Sequence, residues 1–365
     1  MLEAQVSRDQ QVLLPFEYLN DLGVEASMAR QQIVVETLTF EPDEVTDQVA
    51  SIYQAASTSA KRICYLDEYA RLTSAGVFNK LNSLVPWLRS SIEVSIKEKD
   101  ALFTEFRDRL NVDLRFSHPP TLLQEWLPVL GRGHLKAGVV DNKVFYFGGV
   151  NLDRETAHAA EMMVKFTGNR ARKLSQYYEA IHAGEIEGDA EIMLDETTSL
   201  LYDTGIPGQS IILDKAIQLI EGAKASIKNT SFLIPDGKVA KALNQAYQKG
   251  IAVEVLTASP PPDGFLPISF ATIKWLTDRL SLLQRHFRRM EFPIVYNPFR
   301  LVHSKLLIID NERVLFGSHN LSDKGVKAGT KEWSILTRDP QLVKDLTRFY
   351  YDVRLEMNPN LQEVL

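Results

Sequence analysis

The 365-residue sequence has one cysteine, Cys64. That excludes an intramolecular disulfide and a cysteine-based zinc site, both of which need more than one thiol. Cys64 sits beside Ile63, Tyr65 and Leu66, a strand-like run, and is expected as a buried free thiol. The opening MLEAQVSRDQ lacks a basic segment followed by an apolar one, so no secretory signal is expected. Long apolar runs are missing as well. No uncharged stretch approaches the roughly 18 to 20 residues of a membrane-spanning helix, and a cytoplasmic protein is the expectation. Positive charge is not in excess: 41 Lys and Arg against 47 Asp and Glu give a net charge of −6. This disfavours broad electrostatic binding of nucleic acid, though a local basic groove is compatible with it. The 45% hydrophobic and 24% charged content is that of a soluble globular chain, long enough for one large domain or two of ordinary size and for a core without covalent staples.

What the sequence does have is a repeat. "HLKAGVVD" at 134–141 and "HSKLLIID" at 303–310 both read H-x-K-x-x-x-x-D, with a His-to-His offset of 303 − 134 = 169 residues. Each is followed by a turn, a strand-like run and a small-residue loop, "KVFYFGGVN" at 143–151 and "RVLFGSHN" at 313–320. One H-x-K occurs by chance in many proteins, whereas two copies with the same sequel do not. Upstream, "MARQQIVVETLTFEPDEV" (28–45) resembles "GAKASIKNTSFLIPDGKV" (222–239), and "VASIYQAASTSAKRICYLD" (49–67) resembles "VAKALNQAYQKGIAVEVLT" (239–257). The offset there is near 190, so the first half carries about 20 extra residues ahead of its motif. Strand, helix, strand and a crossover to a strand pair predict an α/β fold with mostly parallel or mixed sheets flanked by helices. Two lobes are expected, 1–185 and 200–365, joined by the acidic, turn-rich "AGEIEGDAEIMLDETTS" (183–199).

"HLKAGVV" and "HSKLLII" read as strands, on which residues i and i+2 share a face. His134 points with Lys136, and His303 with Lys305. Asp141 and Asp310 fall an odd step away at turn starts, where aspartate has a structural use; they are read as supporting members of the motifs. A pseudo-twofold arrangement of the halves brings both histidines and both lysines into one cleft. Such a cleft suits an anion, phosphate above all. Asn151 and Asn320 can add amide donors and Ser318 a hydroxyl. Gly148, Gly149 and Gly317 let backbone come close. A histidine next to a fixed positive charge is a poor metal ligand, and no metal or cofactor is expected.

The two H-x-K-x-x-x-x-D motifs, each followed by GGVN or GSHN, resemble those of the phospholipase D superfamily, over roughly residues 10–350. The resemblance implies a bilobal α/β fold with one motif per lobe and metal-free chemistry. One motif histidine attacks phosphorus and forms a phosphohistidine; the other protonates the leaving alcohol and then activates water or a second alcohol. Relatives usually attack with the N-terminal histidine, which implies His134 as nucleophile and His303 as acid and base, although the residues themselves leave the order open. An acidic residue downstream of each motif orients a histidine in this family; the matching positions are Glu161 in "AEMMVKFTG" and Glu332 in "KEWSILTRD". His319, inside GSHN, is expected near the cleft. His118, His158, His182 and His286 have no repeat partner and are read as ordinary surface or packing residues.

The superfamily contains phospholipases, phosphatidyltransferases and nucleases, and the motifs do not choose among them. The segments beside the motifs favour a phospholipid at a membrane surface. "FLPISFATIKWLTDRLSLLQRHFRRMEF" (265–292) reads as a helix with Phe270, Ile273, Leu276, Leu280 and Leu283 at helical spacing and Arg285, Arg288 and Arg289 at its end. It also reads as a helix facing the core. "PPTLLQEWLPVLGRG" (119–133), with Trp126, and "LVPWLRSSI" (84–92) are apolar segments suited to a bilayer or a lid. The alternative is a nuclease, with a basic groove interleaved by aromatics. A binding protein without activity is disfavoured because every motif residue is present in both halves. No protein partner is inferred.

Overall fold

The computed structural model describes residues 9–258 and 267–357. Its first sheet contains β1 (Gln10–Leu13), β2 (Gln32–Thr37), β3 (Lys61–Asp67), β4 (Asp113–Ser117), β5 (Ala137–Val140), β6 (Val144–Gly148) and β7 (Met163–Phe166), in the order β1-β7-β6-β5-β2-β3-β4. The second contains β8 (Ala190–Met193), β9 (Thr198–Asp203), β10 (Ser226–Thr230), β11 (Ala252–Ala258), β12 (Ile294–Asn297), β13 (Leu306–Ile309), β14 (Arg313–Gly317) and β15 (Glu332–Thr337), in the order β8-β9-β15-β14-β13-β10-β11-β12. Without the edge strand β8 the two orders coincide. In both, the first βαβ run is parallel (β2-β3-β4, β10-β11-β12) and the remaining neighbours are antiparallel. The sheets are therefore mixed, with antiparallel pairs in the majority. β8 lies within the acidic stretch 183–199 and joins the second sheet there.

Strands β5 (AGVV), β6 (VFYFG) and β13 (LLII) are apolar without alternation because both of their faces are covered. On one side the sheets meet each other: Phe147 of β6 packs 4.7 Å from Trp333 of β15 and 5.8 Å from Phe316 of β14, ring centre to ring centre. This is the largest apolar cluster, and it contains residues of both sheets. The other face of each sheet carries its own cluster under helices. Cys64 is fully buried in the first of these. The proline-acid turns start helices, as their composition predicts. Asp43 accepts from the Val45 and Thr46 amides and caps α1 (Glu44–Ala55), while Asp236 precedes α2 (Gly237–Gln248).

The histidines are not in strands. Regular pairing begins only at Ala137 and Leu306, and the residues before them cross to the other lobe. The His134 amide donates to the Lys331 carbonyl at 2.9 Å, and the His303 amide to the Ala160 carbonyl at 3.1 Å. Cross-lobe bonds replace the ladder here, so backbone hydrogen bonding holds each H-x-K segment against the opposite half. The motif aspartates sit at the far ends of β5 and β13. Asp141 accepts from the amides of Arg30, Gln31 and Gln32, and Asp310 from those of Lys224, Ala225 and Ser226. Each pins the start of the neighbouring strand, and the three amides hold each carboxyl below the usual aspartate range against the opposing effect of burial. Neither reaches the cavity described below.

The extra residues of the first half form a cap. They include a small hairpin (Thr73–Ser74 with Val77–Phe78), the helix Pro86–Thr104 and the short helix Leu122–Trp126. The helix Phe270–Phe287 of the second half completes it. The Phe78 amide donates to the Ile268 carbonyl, and the Asn82 side chain bonds both polar groups of the Ile268 backbone. A small cluster of Leu38, Tyr69, Phe78, Val129, Ile268 and Ile273 glues these pieces together. The helical spacing of 270–283 does not mark a core face. Lys274 and Asp278 are the buried pair on that helix, while Leu276, Leu280 and Leu283 are exposed. The side chain of Phe270 and residues 265–266 of that segment lie outside the described part.

Candidate active site

Where the lobes meet lies a cavity of about 540 Å³. His134, Lys136 and Asn151 line it from the first lobe, and His303, Lys305, Ser318 and Asn320 from the second. The expected convergence of the two motifs is thus present.

Each histidine is held by a carboxylate from the other lobe. His134 Nδ1 lies 2.8 Å from Glu332 Oε1, and His303 Nδ1 lies 2.7 Å from Glu161 Oε2. A bond at Nδ1 fixes the ring and turns Nε2 to the other side. Glu161 precedes β7 and Glu332 opens β15, so the sheets deliver both carboxylates to the seam. Burial alone raises their carboxyls. Lys305 and His303 outweigh it for Glu161, and His134 outweighs it for Glu332, which falls to about 2. Both are ionised at neutral pH.

The lysines are almost fully buried. Burial, and then the charge of Lys305, pushes Lys136 down to about 8; burial also lowers Lys305. Lys136 Nζ donates to the His134 carbonyl at 2.8 Å. Lys305 Nζ lies 2.9 and 3.1 Å from the two ring nitrogens of His303 and 3.4 Å from Glu161. Burial first and Lys305 second bring His303 down to about 4. Two buried ammonium groups beside two imidazoles, with the carboxylates turned to the rings, make an anion cradle. Among the described residues no three of His, Cys, Asp and Glu converge as metal ligands.

Two residues after the motifs, Ser318 and Gly149, differ from their expected roles. Ser318 lines the cavity, but its hydroxyl donates to Glu332 and accepts from the Trp333 amide at 3.1 Å. It positions a carboxylate. Its counterpart in the first lobe is Gly149, which does not line the cavity. A Cβ there would fall 2.3 Å from Glu161 Oε2, so glycine makes room for the carboxylate. Gly148 and Gly317 likewise admit backbone: a Cβ would meet the Met162 carbonyl at 2.3 Å and the Trp333 carbonyl at 2.4 Å. His319 is buried, accepts from the Leu321 amide and does not reach the cavity. Gly149→Ala is expected to displace Glu161 and cut turnover at least tenfold with little loss of folding, read by kinetics beside a thermal melt. Unchanged turnover would show that Glu161 has room to spare.

Several lining residues escaped the sequence reading. Arg132 was detectable in principle, because R-G-H-L-K puts it on the alternating face of His134 and Lys136. Glu41, Asp43, Glu98, Asp153 and Glu155 also line the cavity, all from the first lobe. No local pattern marked them.

Residues 216–352 match a family model described as the cardiolipin synthase, phospholipase D-like domain. The fold is similar to that of phosphatidylserine synthase from Haemophilus influenzae Rd KW20, at TM-score 0.66 and 14% identity over 96% of this chain and 86% of that one. It is also similar to polyphosphate kinase from Porphyromonas gingivalis, at TM-score 0.56 and 11% identity over 97% of this chain and 51% of that one. No curated protein matches by sequence.

Proposed function

We propose that the chain is a phospholipase D-like enzyme, as the match of residues 216–352 to the cardiolipin synthase, phospholipase D-like family model and the fold likeness to phosphatidylserine synthase support, and that it cleaves or exchanges a phospholipid phosphodiester through a covalent phosphohistidine at the seam between its lobes. The observation that carries the reading is the reciprocal pair of Glu-held histidines on one lysine-lined cavity. His134 Nε2 attacks phosphorus, the bond to the alcohol breaks, and His303 gives the alcohol oxygen its proton. Water or a second alcohol then loses a proton to His303 and attacks phosphorus, which releases His134. Lys136, Lys305, Asn151 and Asn320 take the non-bridging oxygens. The motif aspartates act through the strands and touch no reacting atom.

His303, lowered to about 4 by burial first and Lys305 second, is a neutral imidazole at pH 7 in the free site. The negative charge of a bound phosphodiester beside the ring opposes both, and His303 then takes up a proton. Binding of a non-cleavable phosphonate diester should therefore be accompanied by uptake of close to one proton at pH 7, and its affinity should fall as pH rises. Calorimetry in buffers of different ionisation heat reads this. No uptake would mean that His303 enters neutral, and would make it the nucleophile.

A lipid substrate is favoured over nucleic acid by the wall of the cavity. Phe232 and Leu301 line it beside the motif residues and suit the apolar part of a lipid, whereas a strand-binding groove would carry a run of basic side chains interleaved with aromatics. The names of the matching family model and of the phosphatidylserine synthase fold relative support the same substrate class. The cap supplies a docking face. Trp87 is 72% exposed, Leu122 79% and Phe287 78%, beside the exposed Arg288 and Arg289. Such a face suits an anionic bilayer, and no helix among the described residues is long and apolar enough to cross one. Arg285 is not part of it, since it donates to the Phe292 carbonyl and lies over the Phe292 ring.

The test is turnover of phosphatidylglycerol vesicles against single-stranded DNA. Lipid cleavage or headgroup exchange supports the reading, and cleavage of DNA alone overturns it. Trp87→Ala combined with Leu122→Ser should lower vesicle turnover at least fivefold and leave a soluble short-chain diester unaffected. An equal loss on both would locate the defect in folding or chemistry.

A further inference from the structure

The two lobes treat the phosphate alike but not what lies beside it. At the shared offset of 169 residues, Arg132 of R-G-H-L-K has Leu301 of L-V-H-S-K as its counterpart, and both line the cavity. Arg132 is 1% exposed. Its guanidinium is fixed from one side: Nε donates to the Leu130 carbonyl at 3.0 Å, and Nη1 to Asp67 Oδ1 at 3.2 Å and the His118 carbonyl at 3.1 Å. Asp67 is itself immobilised by the Tyr69 and Gly133 amides and by His118. Nη2 is buried and has no hydrogen-bond partner among the described residues. Ser74 Oγ, in the hairpin of the cap, also belongs to a cavity-lining residue, is buried and has no partner. An unmet donor on a buried charged group is costly, and a planar guanidinium held at one edge presents the other in a set direction.

We propose that Arg132 anchors a second anion subsite, for a phosphate or carboxylate joined to the reacting phosphate by a short bridge. This rests on the reading of the cavity as a phosphodiester site. The first phosphate lies between the repeated His and Lys pairs. A second anionic group displaced toward the first lobe meets Arg132 and Ser74. The second lobe contributes Leu301 and Phe232 to the lining, which suit an apolar moiety. The substrate is thereby orientated, with its anionic side on the first lobe.

Calorimetric binding to the full chain tests this with phosphate, pyrophosphate and phosphonoacetate. The wild-type protein should bind pyrophosphate, phosphonoacetate or both at least tenfold more tightly than phosphate. Preference for pyrophosphate identifies a second phosphate, and equal binding of phosphonoacetate a carboxylate. Arg132→Leu, which installs the residue of the other lobe, should erase the preference and shift phosphate affinity less than threefold. Arg132→Lys keeps the charge without the fork and should retain part of the preference, which serves if the leucine variant misfolds. A preference that survives in both variants, or is absent from the wild type, overturns the subsite. Failure of phosphate itself to bind the wild type overturns instead the reading of the cavity.

Discussion

His134→Ala and His303→Ala should each lower phospholipid turnover by a factor on the order of 10⁴ or more, because nucleophile and acid–base partner act as one unit. The double variant should be little worse than either single one. The folded state should survive, since both rings face a cavity and their backbone amides keep the cross-lobe bonds to Lys331 and Ala160. Steady-state kinetics on vesicles with a circular-dichroism melt for each variant makes the check. Residual activity within tenfold of wild type in either variant would remove that histidine from the mechanism.

Glu161→Gln and Glu332→Gln should lower kcat by about 10²–10⁴ while KM moves little. The amide keeps the shape and much of the hydrogen bonding but removes the charge that fixes the ring and supports an imidazolium. In Glu332→Gln the affected histidine is His134, across the seam, and in Glu161→Gln it is His303. The two variants should therefore differ in their pH profiles. Without Glu161, His303 loses the group that opposes Lys305 and burial, so proton uptake on binding should weaken in that variant and not in Glu332→Gln. Matching losses in KM alone would reduce both carboxylates to substrate binding.

The duplicated features were the legible ones. H-x-K, the motif aspartate and the asparagine occur twice at a fixed offset, and a repeat distinguishes them from chance; Glu161 and Glu332 are singled out only by the resemblance to the phospholipase D superfamily. Strand and helix order followed from the same repeat, and the proline-acid turns marked helix starts. The pairing across the seam was not legible. Glu161 and His303 are 142 residues apart, and nothing local encodes the crossing. The H-x-K segments were expected in strands because their sequences continue into apolar runs; the partner lobe takes their hydrogen bonds instead. Ser318 was assigned to substrate because a hydroxyl beside a motif suits phosphate. Only the geometry shows it bound to Glu332, with Gly149 as its counterpart making room for Glu161. The helix Phe270–Phe287 shows how a periodic apolar stripe defines a face without naming what covers it. Leu276, Leu280 and Leu283 of its stripe are exposed, and the buried side holds the Lys274–Asp278 pair.

The most direct test of the covalent two-histidine mechanism is the intact mass of His303→Ala protein after brief incubation with phosphatidylglycerol vesicles and an acid-free quench. Without its acid–base partner, His134 should hold a phosphatidyl group long enough to appear as an added phosphatidyl mass, and His134→Ala should show none. An adduct on His134→Ala and not on His303→Ala would exchange the two roles. No adduct on either, while the wild type turns lipid over, would contradict the phosphohistidine itself.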